Sequence, residues 1–263
     1  MKGRLLVKDA VLAFEEEGRL VFLKQDLLAQ GFEESSLQKA LWRLQREKRL
    51  ISPMRNLFVI VPTVYRSVGT PPPTWYLDAW MKHRGSSCYY ISLLSAAAFH
   101  GASHHAVMET QVMLSMPIPP KIIASARFRF FVKSHIESTP CVERTVETGT
   151  VRVSTPAATF FDLITYMKSI GSIGTALFEL AENLAIDDLS SCLLNMKIPI
   201  ADLQRAGFYL EHFSRKDLAD AVAEALKGRE LHKVPLVSSR PSVETEAHSI
   251  WKVILNDTLE VDV

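Results

Sequence analysis

Ser35-Ser36-Leu37-Gln38-Lys39-Ala40-Leu41-Trp42-Arg43-Leu44-Gln45-Arg46, residues 35–46, is the stretch on which the fold of the first part of the chain turns. Leu37, Ala40, Leu41 and Leu44 recur at i, i+3, i+4 and i+7, the spacing of one inward-facing helical stripe, while Gln38, Lys39, Arg43, Arg46 and then Arg49 fall mostly on the other faces. Ser35 followed three residues later by Gln38 has the spacing of a capping box, which predicts the helix start there. Upstream, Val11, Leu12 and Phe14 within residues 8–17 predict a first helix stopped by Gly18, and residues 24–30 a second, short one stopped by Gly31. Downstream, Leu50-Ile51-Ser52 and Leu57–Val61 read as strands around the turn Pro53-Met54-Arg55-Asn56. Three helices and a basic hairpin make a winged helix-turn-helix.

The whole chain has 263 residues and a formal charge of only +1, which by itself points to no partner. Divided along the chain, the charge is uneven. Residues 1–66 carry twelve Lys and Arg against eight Asp and Glu, and residues 35–66 carry seven basic residues against one acid, Glu47. Pro62 and the run Gly69-Thr70-Pro71-Pro72-Pro73 cannot join a helix or a central strand, so the sequence predicts a domain over 1–66, a Pro-rich linker over 67–73 and a second domain over 74–263.

A helix fits the major groove, Arg and Gln have the reach and donors for base edges, and Lys and Arg neutralise phosphates. Ser36, Gln38, Lys39, Trp42 and Arg43 are therefore expected to face the groove, with Arg46, Lys48, Arg49 and the turn residues Arg55 and Asn56 on the backbone of double-stranded DNA. Solvated basic faces and winged helices that bind proteins share the same charge pattern.

Residues 74–263 read as α+β, so the expected fold class is a winged helix followed by a larger mixed α/β domain. Helical patterns fall at 74–83, 91–99, 156–168, 174–185, 189–196 and 215–227, and strand-like runs near 107–115, 127–134, 141–147 and 150–154. Ser154-Thr155-Pro156 supplies a cap followed by proline at a helix start.

Catalytic and metal motifs are missing from the sequence. His100, His104 and His105 have no Cys or carboxylate at ligand spacing, and Cys88, Cys141 and Cys192 form neither a zinc motif nor a disulfide framework. None of the fourteen lysines has an acid two residues before it on a strand, as a restriction-type nuclease would want; Glu109-Thr110-Gln111 is the nearest variant. Gly85-Ser86 lacks the following pair of acids that nucleotidyl transfer needs, and Glu260-Val261-Asp262 has no strand and turn before it. Gly171-Ser172-Ile173-Gly174 is neither a P-loop nor a dinucleotide fingerprint, and Asp187-Asp188 reads as a helix-terminal pair. The expectation is a non-enzyme without cofactor or metal. No apolar run approaches the length of about 18 residues that spans a bilayer, and the start lacks a signal core, so a cytoplasmic protein without membrane partners is expected.

Tyr89-Tyr90-Ile91-Ser92-Leu93-Leu94-Ser95-Ala96-Ala97-Ala98-Phe99-His100-Gly101 is similar to a signature of AbiEi-like antitoxins of type IV toxin–antitoxin systems. Further resemblances follow in that family's order: Val153–Leu163, with its Ser/Thr-Pro step and Asp162-Leu163, then Ala206-Gly207-Phe208-Tyr209-Leu210-Glu211 and Trp251–Asn256. Ala157 stands where the family often has an acid. The resemblance implies a transcriptional regulator that binds and represses its own operon's promoter and counteracts a cognate nucleotidyltransferase toxin. Tyr89, Ser92, Ser95 and His100 are expected on one helix, in core or capping roles. Two other readings fit the residues alone: a nuclease targeted by the winged helix, and a ligand-sensing regulator.

Overall fold

The computed structural model describes residues 6–102, 108–238, 240 and 246–256. His104, His105 and Glu260-Val261-Asp262 lie outside them. The fold is mixed α+β, a winged helix-turn-helix followed by a larger α/β part. The chain runs through α1 (Val7–Glu16), β1 (Val21–Leu23), α2 (Lys24–Ala29), α3 (Glu34–Arg46), β2 (Leu50–Met54), β3 (Leu57–Ile60), α4 (Thr74–Arg84), β4 (Tyr89–Ile91) and α5 (Leu93–Phe99). It continues through β5 (Thr110–Leu114), β6 (Lys121–Ile123), β7 (Ala126–Val132), β8 (Cys141–Val146), β9 (Gly149–Ser154) and α6 (Pro156–Ile170). It closes with α7 (Gly174–Asn183), α8 (Ile186–Asn195), α9 (Ile200–His212), α10 (Lys216–Leu226), β10 (Val234–Pro235) and β11 (Val253–Ile254). One sheet has the order β1-β3-β2, another β6-β7-β5-β4-β9-β8, and β10 pairs with β11.

The contacts divide the chain into two compact units, and the division is not a simple cut along the sequence. The first unit takes residues 1–89, 118–129 and 143–152; the second takes 90–117, 130–142 and 153–263.

In the first unit, Leu37, Leu41 and Leu44 of α3 are buried with Val7, Val11 and Phe14 of α1, Leu27 of α2 and Leu50 and Phe58 of the hairpin. The rings of Phe14, Phe22 and Phe58 follow one another at centroid distances of 5.3 and 5.6 Å, tying α1 to the sheet. The short apolar stretch at Leu20–Phe22 becomes β1, paired antiparallel with β3. Gly69–Pro73, expected as a linker between domains, lies inside this unit. The prolines lead straight into α4, whose Tyr76 and Trp80 set their rings edge-on to Phe128 of β7 at 5.8 and 5.0 Å. Gly85 ends α4 at φ 81, the left-handed closure that glycine adopts without a Cβ penalty.

In the second unit, Thr155 caps α6 by accepting from the amide of Ala158 at 3.3 Å, with Pro156 in the first turn, as the sequence predicts. Two expectations fail here. Residues 89–91 are a strand, so Tyr89 and His100 are not on the helix with Ser95; only 93–99 is helical, with Ser92 at its N-cap. The helix α9 has no counterpart among the predicted helices. It is buried on every side, with Asp202, Gln204 and Arg205 enclosed along with Leu203, Phe208 and Leu210, so it shows no polar face to set a period.

Candidate nucleic-acid interface

The α3 helix begins two residues earlier than a Ser35 cap would have it: Glu33 is the N-cap, and the Ser35 hydroxyl, in the first turn, donates to the Glu33 carboxylate instead of capping an amide. Ser36 is likewise turned back, its hydroxyl donating to the Glu33 carbonyl at 3.0 Å. At the junction with α2, the Lys24 ammonium lies 2.8 Å from the Glu34 carboxylate and holds that carboxyl below its ordinary pKa by hydrogen bond and charge.

With Leu37, Leu41 and Leu44 committed to the core, α3 turns Gln38, Lys39, Trp42, Arg43 and Arg46 outward, all exposed. These five and Glu47 line a surface cleft of about 770 Å³. Trp42 is 58% exposed, a surface residue and not a core one, and the Arg46 guanidinium lies over its ring, 4.8 Å from the centroid. Arg43 Nε is 3.9 Å from the Glu47 carboxylate, a solvent-exposed pair worth about 0–1 kcal/mol that gives way readily to a phosphate. Lys48 closes the helix in the left-handed region at φ 55, a position where glycine is usual. Arg49 is half-buried, and its carbonyl accepts from the Val61 amide at 2.9 Å. At the hairpin tip, Arg55 and Asn56 are exposed, and Asn56 adopts φ 65, which its short polar side chain tolerates better than most. The structure thus gathers five expected residues on α3, places two at the wing tip, and gives Ser36, Lys48 and Arg49 local backbone roles.

Other side chains come to the wing from distant sequence. The His83 Nε2, near the end of α4, is 3.3 Å from the Arg55 carbonyl, and the Lys121 ammonium of β6 donates to the Pro53 carbonyl while facing the Trp80 ring at 5.4 Å. The first unit as a whole carries nineteen Lys and Arg against eleven Asp and Glu, a net of +8; the second carries eleven against eighteen, a net of −7.

The residues singled out in the second unit do structural work. Gln111 receives the Leu94 amide on its side-chain oxygen at 2.9 Å, and its own amide donates to the Ser95 hydroxyl at 2.9 Å. Its side chain donates to Glu109 at 3.0 Å, so the nearest variant of a nuclease pair is engaged in fastening α5 to β5. Asp188 in the first turn of α8 accepts the Ala157 amide at 2.8 Å. Asp162 is enclosed between the Tyr90 hydroxyl at 2.8 Å and the Lys133 ammonium at 2.6 Å. Burial pushes its carboxyl up, against the opposing pull of Lys133, and burial together with the Asp162 charge lifts the Tyr90 phenol far above its ordinary value. Among the described residues, no group of three His, Cys, Asp or Glu is placed to hold a metal ion, and no helix is long and apolar enough to cross a membrane.

A family model described as the AbiEi antitoxin C-terminal domain matches residues 90–212. Residues 90–212 are similar to the AbiEi antitoxin C-terminal domain. That match supports an antitoxin role in a toxin–antitoxin system, with a toxin as counterpart, and the matched family is regulatory rather than catalytic. The crystal structure of the RV2827C protein from Mycobacterium tuberculosis is similar in fold, with a TM-score of 0.71 and 14% identity over 95% of this chain and 92% of that one. No curated protein matches the chain. The AbiEi match starts at Tyr90, so it covers neither α3 nor the wing.

Proposed function

We propose that this chain is a DNA-binding transcriptional repressor that occupies the promoter of its own operon in the cytoplasm, and the antitoxin of a type IV (abortive infection) system whose toxin is a nucleotidyltransferase. The observation that carries the DNA-binding part is the outward face of α3: Gln38, Lys39, Trp42, Arg43 and Arg46 stand together on a helix anchored by three buried leucines, beside an exposed wing tip. A helix so placed enters a major groove with Gln38, Lys39 and Arg43 toward base edges, while Arg46, Lys48, Arg49 and Arg55 lie where phosphates run. The match to the AbiEi domain supports the antitoxin part. Occupancy of the promoter excludes polymerase, and the toxin is countered through the second unit or through control of its expression.

The test is binding of the full chain to a duplex from its own promoter and to an unrelated duplex of equal length. With about six phosphates neutralised, log affinity falls with log salt at a slope of about −5. Arg43→Ala with Arg46→Ala is expected to abolish the preference for the promoter, and undiminished binding by that variant overturns the assignment.

A further inference from the structure

Every carbonyl of the wing turn, from Pro53 to Leu57, has a donor beside it, and the donors come from four different elements. The Lys121 ammonium of β6 donates to the Pro53 carbonyl, and the His83 Nε2 of α4 donates to the Arg55 carbonyl at 3.3 Å. The Lys24 amide at the start of α2 donates to the Asn56 carbonyl at 2.9 Å. The Ser52 hydroxyl of β2 stands 2.8 Å from the Met54 carbonyl and 2.9 Å from that of Leu57 and shares its proton between them. An exposed turn ordinarily leaves such groups to water and moves; this one is fastened along its whole length.

We propose that His83 and Lys121 are positioning residues for DNA binding: they set the backbone of the wing turn so that Arg55 stands ready for a phosphate before the duplex arrives. The inference rests on the DNA-binding reading above, and it adds two residues outside 1–66 that act without touching DNA themselves. Pro53 is buried while Arg55 and Asn56 are exposed, so the fastened turn carries its polar side chains outward. The His83 bond is itself exposed and adds little to folding; what it fixes is the place of the Arg55 backbone. Lys121 is committed inward, its ammonium facing the Trp80 ring at 5.4 Å as it donates to Pro53. An arginine on a preset backbone loses less freedom on meeting a phosphate than one on a moving loop, and such a contact adds affinity without sequence preference.

The experiment is a mutant cycle on the full chain: Arg55→Ala, His83→Ala with Lys121→Met, and all three changes together, beside Arg43→Ala with Arg46→Ala. Each is titrated by fluorescence anisotropy with the promoter duplex and the unrelated duplex between 50 and 300 mM KCl. Arg55→Ala removes one phosphate contact, which lowers the salt slope by about 0.9 and weakens binding at 0.15 M salt about fivefold, equally for both duplexes. The His83 and Lys121 pair is expected to lose as much in slope and affinity, and the triple variant no more than Arg55→Ala alone. A role in folding alone would move the melting temperature and leave the slope of the folded protein where it was. Should the Lys121 change prevent folding, His83→Ala alone, at an exposed position, carries the same comparison with and without Arg55→Ala. Losses that add in the combined variant overturn the proposal, because the residues would then meet DNA directly or through their charge. Unchanged slope and affinity in the His83 and Lys121 variants, or in Arg55→Ala, also overturns it; with promoter preference still lost in Arg43→Ala with Arg46→Ala, the reading of α3 stands. Failure of the unaltered protein to bind either duplex overturns both.

Discussion

The His100 ring nitrogen Nε2 lies 2.7 Å from the carbonyl oxygen of Ser154, so two of the AbiEi-like segments, 54 positions apart, close on each other through one hydrogen bond. A carbonyl only accepts, so Nε2 carries the proton. Ser154 is fully buried, its hydroxyl 2.7 Å from that of Thr159, and its neighbour Val153 pairs with Ile91 of β4. His100→Ala leaves that carbonyl under-satisfied in the interior. The expected loss is about 1–2 kcal/mol in urea unfolding, with duplex affinity of the folded protein unchanged. A drop in DNA binding without a drop in stability would instead give His100 a place in the interface.

The two later segments meet in the same way. A Cβ at Gly207 of α9 would stand 2.1 to 2.5 Å from ring atoms of Trp251, which is 3% exposed. Trp251 is pinned on both sides, its indole nitrogen donating to Glu211 and its carbonyl accepting from Gln204 at 2.7 Å. Gly207→Ala cannot be relieved by a small shift, and it is expected to cost about 3 kcal/mol or more, read as a fall in melting temperature. Gly207→Ala combined with Trp251→Ala should cost less than the sum of the two single changes, because the clash goes with the ring.

Lys133→Met tests the buried pair with Asp162. The side chains of Lys133 and Asp162 are 16% and 2% exposed, so removing the cation strands a carboxylate and costs about 3–5 kcal/mol at pH 7. Burial raises the Asp162 pKa above 3.8, and the variant lacks the lysine that opposed the rise. The native state then holds its proton more tightly than the unfolded state. Stability relative to the unaltered protein therefore recovers as pH falls through the raised native pKa toward 3.8. Urea midpoints at pH 7 and pH 5 check this; an equal deficit at both would show that the charge of Asp162 finds another partner.

What the sequence could reveal depended on whether an element has one buried side. Leu37, Leu41 and Leu44 are buried while Lys39, Arg43 and Arg46 are exposed, so α3 and its binding face were legible from spacing. The helix α9 encloses Asp202, Gln204 and Arg205 through specific partners: Arg205 donates to Asp202 at 2.7 Å, and Thr165 to the other Asp202 oxygen at 2.9 Å. A helix that encloses polar side chains together with its apolar ones shows no solvent-facing polar stripe, so it was not legible. The start of α3 differs from the capping-box expectation because Ser35 has the composition of a cap but stands two positions past the actual N-cap, Glu33. The links from His83 and Lys121 to the wing join residues too far apart for any local pattern to register, which is why a boundary expected at the prolines does not separate them from it.

Glu47 is the single acid among residues 35–66, and it lies on the cleft beside Arg43. Glu47→Gln removes a charge that repels phosphate and releases a pair worth at most about 1 kcal/mol, so duplex affinity is expected to rise by up to about fivefold. The gain shrinks as salt rises, and a loss of affinity at low salt would place the DNA elsewhere.

Trp42 offers a direct reading of where DNA sits. Trp80 and Trp251 are 1% and 3% exposed and Trp75 is half-buried, while Trp42 is 58% exposed. Iodide quenching of the unbound protein therefore reports mainly on Trp42, and the Arg46 guanidinium 4.8 Å from its ring draws the anion in. If α3 enters the groove, saturating duplex shields Trp42 on both counts, by covering the indole and by replacing a cationic surface with a polyanion that repels iodide. Quenching should then fall to the level seen in Trp42→Phe, which itself should show no further change on adding duplex. The two effects separate with acrylamide, a neutral quencher sensitive to coverage alone. Protection from iodide without protection from acrylamide would mean that DNA lies near the helix without covering it, and unchanged quenching by both would remove α3 from the interface.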